Sequence, residues 1–139
     1  MEETWDDSVM DIIGIGLDAT EIDRIAQTIK RYGDRFLHRV FTELEIDYCQ
    51  RKRDAVSSFA ARFAAKEATM KALGTGHSRG VSWKSIEVIR QSGPPRLRLN
   101  AGAAAQASAL GVTDTFLTLT HSQTLALAQV ILVRNIETA

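Results

Sequence analysis

The first regular pattern in the chain is an alternation of large and small side chains over residues 12–18. Side chains of an extended strand point alternately to its two faces. The large and the small residues therefore fall on opposite faces: Ile13, Ile15 and Leu17 against Gly14, Gly16 and Asp18. We predict a strand whose large side chains pack into the core. Its glycine face leaves the backbone open to another segment or a ligand.

Two helix signals follow the strand. Thr20 with Asp23 three residues later resembles a capping box, and Gly33 is a suitable C-terminal stop for the helix between them. Thr42 and Glu45 form a second capping box, which opens a short helix ending near residue 51. The pattern therefore predicts two helices between residues 20 and 51.

The strongest helix pattern is the alanine-rich segment 59–73. Alanine favours helix and permits close packing against a neighbouring element. Ser57 or Ser58 is the expected cap, and Gly74 is the expected end. The glycines between residues 74 and 80 then predict a flexible loop.

The C-terminal half alternates as two pairs of strands with a small helix between them. The strands are expected at residues 81–90, 96–99, 115–120 and 125–133. Asn100 caps the intervening alanine-rich helix and Gly111 ends it. The order of elements predicts an α+β fold, a largely antiparallel sheet packed with helices.

Composition narrows the class of protein. The 139 residues are 45% hydrophobic and 24% charged, which is an ordinary globular mixture for one domain. Lys and Arg balance Asp and Glu at 17 each, so a general nucleic-acid binder is disfavoured. The single cysteine, Cys49, excludes an intramolecular disulfide and suits a reducing compartment. No apolar run reaches the roughly 18 residues of a membrane span, and a cytoplasmic protein is expected.

The first residues are acidic and carry no Lys or Arg, so they do not form a secretory signal. We expect an acidic extension over residues 1–9 and a single domain over residues 10–139. Met10 is an alternative start of the protein.

Three residues are candidates for phosphate chemistry. Asp18 at the end of the glycine strand is a metal ligand or the cap of the next helix. Glu67 in the alanine-rich helix either shares a hard cation with Asp18 or pairs with Lys71 four residues later. Magnesium typically binds one or two carboxylates, with water and substrate phosphates filling its other positions.

Two further features are open to a functional or a structural interpretation. His121 ends a strand beside a turn, where it either faces a ligand or supports the structure. Arg24, Arg31 and Arg35 share one face if their helix continues past Gly33. That basic stripe is a docking face for an acidic partner or a solvated surface.

Three motifs together resemble the holo-[acyl-carrier-protein] synthase family, the small bacterial type of 4′-phosphopantetheinyl transferase. The motifs are Ile13-Gly14-Ile15-Gly16-Leu17-Asp18, Arg62-Phe63-Ala64-Ala65-Lys66-Glu67-Ala68 with Lys71-Ala72-Leu73-Gly74-Thr75-Gly76, and Leu117-Thr118-Leu119-Thr120-His121-Ser122. The resemblance extends from about Met10 to Arg134.

The resemblance implies an enzyme of fatty acid biosynthesis that moves the 4′-phosphopantetheine arm of coenzyme A to a serine of apo acyl carrier protein, with adenosine 3′,5′-bisphosphate as the other product. It also implies a homotrimer with active sites at subunit interfaces. Asp18 and Glu67 would bind magnesium, and Lys71 would act near the β-phosphate. Glu67 would take the serine proton, directly or through a metal-bound water.

The remaining implied residues bind the two substrates. Arg62, Gly74, Thr75, Gly76 and His121 would lie near coenzyme A, and Arg24, Arg31 and Arg35 would face the acidic carrier protein. Two other functions stay open at this point. One is a transferase for polyketide or peptide-synthesis carrier domains, and the other is a coenzyme-A-binding protein without turnover.

Overall fold

The computed structural model describes residues 9–136. Within that range the chain order is β1 Val9–Glu21, α1 Ile22–Tyr32, α2 Asp34–Val40, α3 Glu43–Gln50, α4 Ala55–Leu73, β2 Ile86–Ile89, β3 Arg96–Leu99, α5 Ala101–Leu110, β4 Asp114–His121 and β5 Leu125–Ile136. The predicted α+β class is confirmed. Residues 1–8 of the expected acidic extension lie outside the described residues, and Val9 is the first residue of β1.

The strands form two antiparallel sheets. Strand β5 lies between β1 and β4 in the larger sheet, and β2 pairs with β3 in the smaller one. The predicted C-terminal hairpin is therefore confirmed. Asp18 pairs with Ala128 across one side of β5, and His121 pairs with Ala126 across the other. The sheet thus brings Asp18 and His121 to the same end of β5.

Helix α4 lies directly on the glycine face of β1. A Cβ atom at Gly14 would collide with the carbonyl oxygen of Ala72, and one at Gly16 would collide with that of Ala68. The predicted close approach is confirmed, and Ile13 packs against the core as predicted, but the predicted packing of Ile15 and Leu17 is wrong. Ile15 is 56% exposed and Leu17 58% exposed, because α4 covers the opposite face of the strand.

A fully buried ion pair joins α3, α4 and β2. Lys66 of α4 donates to Glu45 of α3 at 2.7 Å, to the carbonyl of Trp83 at 3.0 Å and to the carbonyl of Ile86. Neither charged side chain has any solvent exposure. Buried charges are tolerated only when paired and hydrogen-bonded, and this pair has both kinds of partner.

Two predicted helix starts are wrong. Strand β1 continues to Glu21, so Thr20 lies in the strand and does not cap α1. The cap of α4 is Asp54, which accepts from the backbone of Ser57, and neither predicted serine takes that place. Glu21 precedes the first turn of α1 without a side-chain capping bond, whereas the carboxylate of Asp54 caps α4.

The predicted helix ends agree with the structure, but α2 is a third helix between the two that were predicted. Thr42 and Glu45 form the expected capping box, and helices end at Gly33, Gly74 and Gly111. Asn100 occupies the N-cap position of α5, although its side chain donates to Lys84 instead of capping.

The strand expected over residues 81–90 is shorter than predicted. Residues 83–85 form a 3-10 turn, and only Ile86–Ile89 is extended. Over residues 9–136, every helix is too short or too polar to cross a membrane.

Candidate active site

A cleft of about 370 Å³ lies where β1, α1 and α4 meet. Asp18 of β1 and Glu67 of α4 line it together with Arg24 of α1. Phe36 and Phe63 form its apolar wall. The glycine face of β1 makes this meeting possible, because it lets α4 approach closely enough to bring Glu67 to Asp18.

Asp18 is held by two side chains. Lys71 Nζ donates to its Oδ1 at 3.0 Å and to the carbonyl of Leu17 at 3.0 Å. The hydroxyl of Thr20 donates to its Oδ2 at 2.8 Å. Asp18 therefore does not cap α1, which removes that interpretation. Lys71 pairs with Asp18 across the two elements, so the alternative of a Glu67–Lys71 helix pair is wrong as well.

Glu67 is the less satisfied of the two carboxylates. Burial raises the pKa of Glu67, and the negative charge of Asp18 raises it further, while His77 and Lys71 oppose the rise. Two carboxylates that share one cleft are a donor set that suits a hard divalent cation. Across residues 9–136 no group of three or more acidic, His or Cys side chains is assembled. The other ligands of such a cation would therefore come from water or substrate.

A second, basic cavity of about 280 Å³ lies beside His121 and Arg62. Lys52, Tyr48 and Arg90 also line it. His121 is exposed, and its Nδ1 lies 3.2 Å from the carbonyl oxygen of Ser122, which agrees with a ligand-facing role instead of a core role. The structure therefore brings two residues from separate sequence motifs to one cationic site.

The loop after α4 lies outside both cavities. Gly74 ends the helix in the left-handed conformation, and Gly76 also has a positive φ of 54°. The ring of the next residue, His77, packs against Trp83 with centroids 4.4 Å apart. Within the described chain, neither Thr75 nor its two glycine neighbours lines either cavity.

The basic stripe is divided between two helices. Helix α1 ends at Tyr32, and Arg35 belongs to α2, so the expectation of one continuous helical face is wrong. Arg24 lines the carboxylate cleft, while Arg31 and Arg35 are exposed. In the described part of the chain none of the three forms an ion pair.

Sequence reasoning missed several residues of the two cavities. Tyr48, Lys52 and Arg90 belong to the basic cavity, and Thr20 orients Asp18. The one available signal was the spacing of Tyr48 and Lys52, which are four residues apart and can therefore meet on a helical turn. Arg90 follows a separate strand, so only the tertiary structure brings it to the cavity.

Known proteins resemble the chain in sequence. Residues 14–128 match the model of the 4′-phosphopantetheinyl transferase superfamily. A curated protein from Koribacter versatilis, named holo-[acyl-carrier-protein] synthase, is 51% identical over 122 residues. That match covers 87% of this chain and 98% of the relative.

Solved structures share the fold. The holo-[acyl-carrier-protein] synthase of Neisseria meningitidis superposes with a TM-score of 0.81 at 30% identity, over 88% of this chain and 98% of that one. The Helicobacter pylori holo-[acyl-carrier-protein] synthase, solved in complex with coenzyme A, gives a TM-score of 0.75 at 29% identity. The match covers 85% of this chain and 98% of the Helicobacter pylori chain. With the family match extending over most of its length, this chain belongs to the 4′-phosphopantetheinyl transferase superfamily.

Proposed function

We propose that the protein transfers the 4′-phosphopantetheine group of coenzyme A to a serine of apo acyl carrier protein. The observation that carries this proposal is the meeting of Asp18 and Glu67 in one cleft, with Lys71 on Asp18, in a chain similar to holo-[acyl-carrier-protein] synthases. One of these relatives has been solved with coenzyme A bound. The released product is adenosine 3′,5′-bisphosphate.

Coenzyme A is polyanionic, and the basic cavity is suited to its phosphates. Arg62 and His121 line that cavity and would bind the phosphates. The loop Gly74–Gly76 would lie along the same substrate, since it follows α4 about two turns after Glu67. Its exposed glycine backbone permits the close approach that phosphate binding requires.

The cleft carboxylates would hold magnesium. Asp18 and Glu67 supply hard oxygen ligands, and burial together with the charge of Asp18 raises the pKa of Glu67, an effect that a cation bound between the two carboxylates would oppose. A bound magnesium ion would neutralise charge on the pyrophosphate of coenzyme A.

The transfer itself needs a base and a positive charge near the leaving group. The serine oxygen forms a bond to the β-phosphorus, and the bond from that phosphorus to the leaving bisphosphate breaks. Glu67 would take the serine proton as the general base, since the other carboxylate of the cleft, Asp18, already accepts from Lys71 and Thr20. Lys71, which is 54% exposed, would stabilise negative charge as it gathers on the leaving phosphate.

The carrier protein would dock on α1 and α2. Arg24 links this surface to the carboxylate cleft, and Arg31 and Arg35 extend it outward. An acidic helix would be attracted to these unpaired arginines by long-range charge.

We also propose that the protein is a cytoplasmic homotrimer with its active sites at the subunit interfaces. Strand β1 exposes large apolar side chains that no part of the described chain covers: Met10, Ile12, Ile15 and Leu17. Contiguous exposed apolar surface of this kind is typical of an interface between subunits. The single buried thiol of Cys49 is compatible with a reducing compartment.

A transfer assay tests the function. Purified protein, magnesium, apo acyl carrier protein and coenzyme A labelled in the pantetheine arm should yield labelled carrier and one equivalent of adenosine 3′,5′-bisphosphate. Asp18→Asn, which keeps the shape of the side chain, should lose transfer while retaining the fold by circular dichroism. A wild-type protein that binds coenzyme A without labelling any carrier would refute the proposal.

A further inference from the structure

The environment of Arg62 is unusual for a buried arginine. The residue is 4% exposed, and its Nε has no hydrogen-bond partner in the described part of the chain. Its hydrogen bond to the backbone is a long one, from Nη1 to the carbonyl oxygen of Ser58 at 3.5 Å, and the Cys49 thiol is a further hydrogen-bonding neighbour. No carboxylate of residues 9–136 pairs with it. Something other than an ion pair must therefore hold the guanidinium in place.

The guanidinium of Arg62 lies over the ring of Tyr48. The Cζ atom of Arg62 lies 4.1 Å from the ring centroid, and Nζ of Lys52 lies 4.6 Å from it. The negative face of an aromatic ring attracts a cation without cancelling its charge. The geometry thus holds the Arg62 guanidinium through the ring while its full charge remains available to a ligand.

The other neighbours of Arg62 leave that charge intact as well. Burial raises the pKa of the Cys49 thiol to about 11, so the thiol beside Arg62 is uncharged at neutral pH. Burial also acts to raise the pKa of Tyr48, but Lys52, Arg62 and Arg90 outweigh it and lower the pKa of the hydroxyl. Three positive charges therefore converge on the Tyr48 side of the cavity.

We infer that Tyr48 is a positioning residue that orients Arg62 toward an anionic substrate without neutralising it. This inference rests on the proposed function and deepens it, because the phosphates of coenzyme A are the anions that such a site would take. A carboxylate at position 48 would also orient the arginine, but it would repel the substrate. An aromatic ring avoids that conflict.

The test compares two substitutions that differ in the ring. Tyr48→Phe keeps the ring, and Tyr48→Leu removes it. Calorimetric titration with coenzyme A should give a Kd about tenfold higher for Tyr48→Leu and within about twofold of wild type for Tyr48→Phe. In the transfer assay the KM for coenzyme A should rise in the same proportion, with kcat little changed. An equal loss in both variants would show that the hydroxyl binds the substrate and would overturn the inference.

A double-mutant cycle separates positioning from packing. In an Arg62→Gln background, Tyr48→Leu should weaken coenzyme A binding less than about twofold, because no guanidinium remains to be oriented. A tenfold loss in both backgrounds would assign Tyr48 a packing role and overturn the inference. If Tyr48→Leu does not fold, pentafluorophenylalanine at position 48 keeps the ring shape and reverses its electrostatic face. This variant should show the same tenfold loss of coenzyme A affinity when it is compared with Tyr48→Phe. Equal affinity of the two variants would overturn the inference.

These outcomes are distinct from failure of the proposed function. A wild-type protein that binds coenzyme A but labels no carrier refutes transfer, and the Kd comparison still decides the role of Tyr48. If the protein labels the carrier and all Tyr48 variants bind coenzyme A with equal affinity, transfer is supported and the inference about Tyr48 is overturned.

Discussion

Replacing Lys66 with Met tests whether the buried ion pair holds α3, α4 and β2 together. Met matches the aliphatic stem of Lys in length and removes only the ammonium. Three acceptors then lose the ammonium as a donor: Glu45 Oε1 and the carbonyls of Trp83 and Ile86, of which the Trp83 carbonyl still accepts from the backbone N–H of Ile86. Glu45 keeps its bonds from the backbone of Thr42 and Val88, but its charge is left without a counterion.

The cost follows from those losses. Removing one member of a buried pair destabilises a protein by about 3–5 kcal/mol, because the remaining charge is uncompensated. Each carbonyl that stays buried without a donor adds about 1–3 kcal/mol, which local relaxation and protonation of Glu45 partly offset. We expect a net loss of about 3–5 kcal/mol from the free energy of unfolding, a large part of a typical domain's stability.

Urea denaturation at one protein concentration measures this loss. Lys84→Met is the matched control, since Lys84 is exposed, and it should change the stability by less than about 0.5 kcal/mol. The double variant Glu45→Gln/Lys66→Met should be more stable than Lys66→Met, because it no longer buries a charge. A loss below about 1 kcal/mol for Lys66→Met, with an unchanged m-value, would refute the reasoning. If Lys66→Met does not fold, Glu45→Gln alone provides the measurement.

Four further substitutions test the site. Glu67→Gln should abolish transfer, yet without magnesium it should be more stable than wild type at pH 7. The pKa of Glu67 is raised in the folded protein, so ionisation of this carboxyl destabilises the folded state. The difference in stability should therefore vanish below about pH 4, where the carboxyl is protonated, and thermal melts across pH measure it. Lys71→Met should lower kcat more than it weakens coenzyme A binding, and an unchanged kcat would leave Lys71 as a structural partner of Asp18. Arg24→Glu should raise the KM for carrier protein but not for coenzyme A, with a smaller defect at high salt; a salt-independent defect would contradict docking by charge. Ile15→Glu should convert a trimer of 15.3 kDa chains into smaller species in light scattering, and an unaltered mass would place the interface elsewhere.

Much of the fold could be predicted from interactions between residues that are close together in the sequence. The Thr42–Glu45 capping box and the glycines that end three helices depend on residues within one helical turn, so their identity alone specifies them. The C-terminal hairpin was predictable for the same reason, since its strands alternate around a short polar turn.

The two carboxylates of the candidate site were predictable from the sequence, but the partners that surround them were not. Asp18 and Glu67 stood out as carboxylates in glycine-rich and alanine-rich segments, and they do share one cleft. The pattern could not show that Lys71 bonds to Asp18 across the two elements, because a helix also allows it to pair with Glu67 four residues earlier. The packing angle of α4 on β1 decides between these partners.

The sequence by itself thus determined the helix ends, the strand pairing at the C-terminus and the chemical types available to the site. Only the tertiary structure decided which face of β1 is covered and that Tyr48 meets Arg62. The physical reason is the distance along the chain over which each kind of interaction acts. Caps and turns act over three or four residues, whereas these contacts join segments far apart in the chain, and they exist only after α4 has packed on the glycine face of β1.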